Sequence, residues 1–268
     1  MKQSSIHKSF FALTVIICVL SSCEWGSKRK VPKGKNIICV VDFSDSKNAT
    51  DRLQFYMNVI KDDIIQGLDS HDKISVIPID KASITNSSDI LLKDLSTINF
   101  EPELASPMEE EQMTKDNLKK FKITLSTEFV ESFNNAINRR NKSNHGTDIF
   151  GALEVVKEKL KTGDDNYLIM LSDMMNYSST LIMEPENRGF NSSTLEKILN
   201  TVPNFEMPNI TAIVLTAEQV EVSPEHFKLV KTFWTKYFEK NKIKLYDYNS
   251  ASVSKLIEMM ALPVIEYK

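Results

Sequence analysis

An α/β fold, with an open and mostly parallel six-stranded sheet covered by helices on both faces, is predicted by three observations. Short apolar runs alternate with longer segments of helical period from Asn36 almost to the C-terminus. The runs at 37–41 (IICVV) and 167–171 (YLIML) are apolar at every position, as central strands buried on both faces require. The composition allows one sizeable core, with 41% hydrophobic residues in a chain of 268. Only 7 glycines and 9 prolines exclude collagenous and low-complexity classes, and no solenoid or propeller period is present. With 33 basic against 36 acidic residues there is no basic excess to neutralise phosphates, so nucleic acid is not an expected partner.

The elements follow in order. Residues 37–41 form the first strand, and Leu53, Tyr56, Ile60, Ile64 and Leu68 recur at helical spacing over about 49–68. Residues 73–79 (KISVIPI) are a second strand, where Pro78 marks an end or an edge. The stretch 80–114 is too long for an ordinary connection and is read as an insertion. It is expected to hold an edge strand near 90–98 and a solvated loop at Glu109-Glu110-Glu111. Leu118, Phe121, Leu125, Phe129, Phe133 and Ile137 mark a long helix, a polar turn follows at 138–146, and Ile149, Leu153, Val156 and Leu160 mark the next helix. After strand 167–171 come a short helix near 193–199 and strand 211–216 (TAIVLT). Ser223 and Pro224 open a helix whose buried stripe is Phe227, Val230, Trp234 and Phe238. A strand at 243–248 with one wetter face and a helix at 251–260 close the domain. The order is Rossmann-like.

The N-terminus reads as an address. Lys2, His7 and Lys8 precede an apolar run at 10–20 (FFALTVIICVL), too short for the ~20 residues of a spanning helix. Leu20-Ser21-Ser22-Cys23 resembles a bacterial lipobox, which implies a signal peptide at 1–22, lipidation of Cys23 and a lipid-anchored place in the bacterial cell envelope. Two or three acyl chains give stable anchoring at ~0.8 kcal/mol per buried methylene. An ordinary secretory signal with an incidental Cys23 is the alternative. Of the 3 cysteines, Cys18 would leave with the signal and Cys39 would stay as a small buried hydrophobe, so no disulfide framework is expected. Loss of the signal takes Lys2 and Lys8 and moves the formal charge from -3 to about -5. Residues 23–35 form the lipidated start and a polar tether, with Lys28-Arg29-Lys30 solvated or near headgroups, and 36–268 form the domain.

The candidate chemistry lies at strand ends, where open α/β sheets place ligands. Asp42-Phe43-Ser44-Asp45-Ser46 follows the first strand. One carboxylate and two hydroxyls on a turn are hard oxygen donors of low charge, suited to a small hard cation that keeps several waters. Gly146-Thr147-Asp148 precedes a helix, and Leu171-Ser172-Asp173 ends a buried strand. In this order the three segments resemble the von Willebrand factor A domain and its metal-ion-dependent adhesion site, over about 36–268. The resemblance implies one divalent ion (Mg²⁺, or Mn²⁺ or Ca²⁺). Ser44 and Ser46 would be direct ligands, Asp42 and Asp173 would act through metal-bound waters, and Thr147 would bind directly or through water. A protein partner would supply a carboxylate. Two departures stand out: the family commonly has Gly after the last Asp, where this chain has Met174, and the interval from Ser46 to Thr147 is long. Asp45, His145, Met174 and Met175 are candidates for the ligand rim, although Met174, Met175 and Tyr177 suit core packing equally. The turn-and-cap alternative for the site residues is that Ser44, Ser46, Thr147, Asp148 and Asp173 only terminate elements.

Other chemistries are less well supported. His71, His145 and His226 have no zinc spacing. A Mg²⁺-dependent phosphohydrolase with Asp42 as nucleophile would be expected to carry a second Asp two residues on, where Ser44 stands, and no G-x-S-x-G elbow or phosphate-binding glycine loop occurs. A metal-free scaffold of the cell envelope is the remaining alternative to a non-enzymatic, membrane-anchored binding domain.

Overall fold

The computed structural model describes residues 33–44, 49–81, 83, 89–101, 107–140, 146–217, 222–250 and 253–261. The chain divides into two units, Met1–Pro32 and Lys33–Lys268, and every described residue belongs to the second. Cys23, Asp45, Ser46 and His145, together with the signal and most of the tether, lie outside the described residues.

The elements in chain order are β1 (Lys35–Asp42), α1 (Ala49–Asn58), a π-helical turn (Val59–Ile64), α2 (Ile65–Gly67), β2 (Lys73–Ile79), β3 (Leu91–Asp94) and a 3₁₀ turn (Leu95–Thr97). They continue with α3 (Pro107–Arg140), α4 (Ile149–Lys159), β4 (Asp165–Leu171), α5 (Leu195–Leu199), β5 (Ile210–Thr216), α6 (Pro224–Lys240), β6 (Lys244–Ser250) and α7 (Val253–Ala261). The strands make one six-stranded sheet in the order β3-β2-β1-β4-β5-β6. All neighbouring pairs are parallel except β2 with β3. The α/β class expected from the apolar runs is the one observed.

Alternation along β1 builds two cores. Ile37, Cys39 and Val41 enter one, with α1, the π-helical turn, α3 and α7 supplying Tyr56, Ile60, Phe129, Phe133 and Met259. Ile38 and Val40 enter the other, with Leu153 of α4 and Val230, Trp234 and Phe238 of α6. A strand with helices on both sides has no wet face, which is why its sequence is apolar without interruption. Cys39 is buried, and burial pushes its thiol pKa well up, so it behaves as an apolar side chain. β1 is anchored at its start by close approach: a Cβ on Gly34 would stand 2.0 Å from the His71 carbonyl oxygen.

Three expectations need correction. Glu109, Glu110 and Glu111 are in the opening turns of α3 rather than in a loop, and the helix reaches back to Pro107. Acidic residues are favoured there by the helix dipole, and Lys115 pairs with Glu111 one turn on at 2.6 Å. The helix read over 49–68 contains the π-helical turn Val59–Ile64, which side-chain spacing does not reveal. The edge strand is confined to Leu91–Asp94, because Leu95–Thr97 turns 3₁₀ with the Asp94 side chain accepting from the Ser96 amide. Pro78 lies in β2 beyond Val76, the last residue paired with β3, so its missing N–H falls where no β3 ladder runs. Among the described residues no helix is long and apolar enough to cross a membrane.

Candidate functional site

The sheet order sets the place of the site. From β1 the chain first builds β2 and β3 on one side and then crosses to β4 on the other. The topological switch point therefore falls between β1 and β4, and the carboxyl ends of strands at such a point are where open α/β sheets place ligands. Val41 registers against Leu171, so Asp42 and Ser172 leave the sheet side by side.

Asp42 is fully buried, and its two oxygens are held differently. Oδ1 accepts from the Ser44 amide at 2.8 Å, which closes the turn after β1. Oδ2 accepts from Ser172 Oγ at 2.9 Å, across the strand boundary. Ser172 in turn accepts from the Met174 amide at 2.9 Å, and Asp173 Oδ1 accepts from the Met175 amide at 2.9 Å. One hydrogen-bond chain therefore joins the D-x-S turn to the loop after β4. Each Asp42 oxygen has lone-pair capacity beyond the one bond described, which is what binding through water needs.

Met174 occupies the place where a glycine is common in the resembled family, and the backbone keeps the glycine-like form, with φ 64°. Such a conformation is uncommon for a residue with a side chain. Trp234 Nε1 donates to the Met174 carbonyl at 2.7 Å, and the Met174 side chain is buried in the second core. Met174 is therefore a core residue and not a rim residue. Met175 is half-buried and packs against the same core, while Tyr177 is exposed.

Thr147 is buried and held by its backbone. Its amide and carbonyl exchange 2.9 Å bonds with Tyr177, and the Asp148 amide donates to the Asp80 carbonyl at 2.9 Å, one residue past the Ile79 that registers against Asp42. Asn176, fully buried, accepts from the Ile149 amide at 2.9 Å. Asp148 caps α4 by accepting from the Gly151 amide at 3.0 Å. Burial raises its carboxyl pKa, against the lowering effect of that bond. The cap alternative thus holds for Asp148, and Thr147 is placed on the loop that meets the chain just past the end of β2.

The sequence alone assigns no role at the site to Ser172, Arg52, Tyr56 or Asn176. Arg52 of α1 donates from Nη2 to the Ser44 carbonyl at 2.5 Å and lies 3.4 Å from Ser44 Oγ. Tyr56, one turn further on, is buried, and its phenol pKa is raised by burial first and then by the Asp42 charge, with Arg52 opposing and Asp173 adding. Asp42, Arg52, Tyr56 and Asp173 thus share one electrostatic neighbourhood. Thr216 Oγ1, at the end of β5, and the Tyr248 hydroxyl are buried and have no hydrogen-bond partner among the described residues. The Tyr248 phenol pKa is raised by burial and then by Asp173.

Among the described residues no group of three or more His, Cys, Asp or Glu could hold a metal. A cation here would rest on hydroxyls and on water held by Asp42 and Asp173. That donor set is all hard oxygen, and it suits Mg²⁺ or Mn²⁺ in chemistry.

No family model matches the chain, and no curated protein matches it. Solved structures similar to it include the conserved hypothetical protein BatB from Bacteroides thetaiotaomicron, at 14% identity and TM-score 0.46, covering 85% of this chain and 100% of that one. A von Willebrand factor type A structure from Catenulispora acidiphila is similar at 11% identity and TM-score 0.38, covering 85% and 41%. Proximal thread matrix protein 1 from the mussel byssus, in a structure with a zinc-occupied MIDAS motif, is similar at 12% identity and TM-score 0.39, covering 85% and 47%. The chain spans all of the BatB chain and less than half of the other two. None of these likenesses assigns it to a family.

Proposed function

We propose that this chain is a von Willebrand factor A-type binding domain that engages a protein partner through one divalent cation, without catalysis. The observation that carries the reading is the hydrogen-bonded meeting of Asp42, Ser44 and Ser172, with Asp173 adjoining, at the switch point of the sheet. The three-part motif order in the sequence supports it independently. Ser44 and Ser46 would hold the ion directly, Asp42 and Asp173 would hold its waters, and Thr147 would close the set. When bound, the ion offers an electron-poor position that a partner carboxylate fills. With hydroxyls rather than carboxylates in direct contact, little negative charge offsets the ion, and an incoming carboxylate is held more strongly. Exposed Tyr177 and Ile182, on the loop after β4, would give that partner an apolar contact beside the ion. Binding is favoured over phosphoryl transfer because the position two residues after Asp42 holds Ser44, not a second acid.

The proposal extends to place. Residues 1–22 would be removed, Cys23 would carry lipid, and 23–35 would tether the domain of 36–268 to a bacterial envelope membrane, so that binding acts at a surface.

The test is calorimetric titration of the full-length protein in detergent with Mg²⁺ and Mn²⁺. A one-site isotherm that Asp42→Ala loses is the expected result. Heat unchanged in Asp42→Ala would show that the ion binds elsewhere. Phosphatase turnover with Mg²⁺, abolished by Asp42→Asn, would favour the hydrolase reading instead.

A further inference from the structure

Arg52 lies outside the expected ligand set, yet it touches a proposed ligand and bears a full positive charge.

We infer that Arg52 is the resident cation of the site, holding the Ser44 turn in the ion-free state and opposing the divalent ion until it leaves Ser44. This rests on the reading of Asp42, Ser44 and Asp173 as the cation site. The geometry is direct: Arg52 Nη2 bonds the Ser44 carbonyl at 2.5 Å and stands 3.4 Å from Ser44 Oγ, the oxygen that the ion would take. Mg²⁺ sits ~2.0–2.1 Å from its ligand oxygens. A guanidinium that close to Ser44 Oγ therefore places a positive charge within a few ångströms of the ion. Arg is charged at every accessible pH, so the repulsion cannot be relieved by deprotonation.

The chemistry also gives Arg52 a positive task. Asp42 is buried next to Ser172 and half-buried Asp173 follows at once, so two carboxylates stand close together at the end of the sheet. A cation nearby offsets their mutual repulsion when no metal is present. Arg52 reaches this place because α1 starts only a few residues after the D-x-S turn, which puts a long side chain from its first turns back over Ser44. The site would therefore exchange one cation for another: guanidinium in the resting state, divalent ion in the engaged state. Its metal affinity would be set by Arg52 as well as by the ligands, and a partner carboxylate that drew Arg52 away from Ser44 would raise that affinity.

The test uses Mn²⁺ as the probe, with free Mn²⁺ counted by electron paramagnetic resonance, on full-length wild type and on Arg52→Met, Arg52→Gln and Arg52→Lys. Thermal unfolding of each in chelator establishes that it is folded. Removing the charge is expected to tighten Mn²⁺ binding on the order of tenfold or more, in Arg52→Met and Arg52→Gln alike, while Arg52→Lys stays near wild type. Asp42→Ala added to Arg52→Met is expected to abolish that binding, which locates the ion. Binding that appears only once the charge is removed would support the inference equally. Equal affinity in all four proteins, or weaker binding in Arg52→Met and Arg52→Gln, would overturn the role of Arg52 and leave the cation site standing. Absence of binding in every protein would overturn the cation site itself, and the role of Arg52 with it.

Discussion

Trp234→Ala is expected to lower the unfolding free energy by about 3–5 kcal/mol, the range for truncating a fully buried large aromatic. Trp234 is completely buried, and its ring lies 5.2 Å from Phe150, 5.2 Å from Phe233 and 5.3 Å from Tyr237. The side chain does two jobs that substitution can separate. Its ring fills the second core, and its Nε1 satisfies the carbonyl of Met174, whose left-handed backbone shapes the loop that carries Asp173. Trp234→Phe keeps most of the apolar contact and leaves that buried carbonyl without its donor, a loss of about 1–3 kcal/mol. Urea unfolding of the three proteins measures both quantities. A Trp234→Ala loss below about 1 kcal/mol would show that this core is not packed as described.

Phe133→Ala is expected to cost a similar amount, about 3–5 kcal/mol, and acts on the site from the other face. Phe133 of α3 is fully buried, 5.4 Å from Phe129 and 5.0 Å from Phe43. Phe43 stands between Asp42 and Ser44, so the ring of Phe133 is what the D-x-S turn rests on. The cavity left by truncation lies directly under that turn. Urea unfolding gives the stability loss, and a Mn²⁺ titration of the same variant reads the consequence for the turn: weaker binding than in wild type at temperatures where the variant is still folded. Phe133→Leu, which refills most of the volume, is expected to recover both. An unchanged Mn²⁺ isotherm in a destabilised Phe133→Ala would mean that Phe43 does not couple the core to the site.

How much of this was legible in the sequence follows from the range over which each feature is determined. β1 and β4 could be read because a strand buried on both faces is apolar at each position, and IICVV and YLIML leave no other reading. The start of α6 was legible because Ser223 and Pro224 are local signals, and Ser223 Oγ does accept from the His226 amide at 3.2 Å. The first turns of α3 were not legible. Glu109, Glu110 and Glu111 make no apolar stripe, and nothing in a run of acids separates an exposed helix from a loop. The π-helical turn was hidden for a related reason: Ile60 and Ile64 keep a four-residue spacing through it.

At the site, Asp42 and Asp173 were legible from their place after apolar strands. The bond from Ser172 to Asp42 was not, because it joins residues 130 apart in sequence and depends on the β1–β4 register. Arg52 carried no sequence signal at all, since an arginine on the polar side of a helix points to solvent far more often than back over a turn. Met174 could be recognised as a departure from the usual glycine. That a methionine could hold the glycine-like backbone conformation there became clear only with Trp234 bonded to its carbonyl.

The most direct test of the central claim is thermal unfolding of the full-length protein in detergent, in chelator and in saturating Mg²⁺ or Mn²⁺, beside the Asp42→Ala, Asp173→Ala double variant. A ligand present at ~100 times its dissociation constant adds ~2.7 kcal/mol to the folded state, a rise of several degrees for a domain of this size. The expected result is that rise in wild type, reversed by chelator and absent from the double variant. The same rise in the double variant would contradict a cation site built on Asp42 and Asp173, and so would no rise in wild type with either metal.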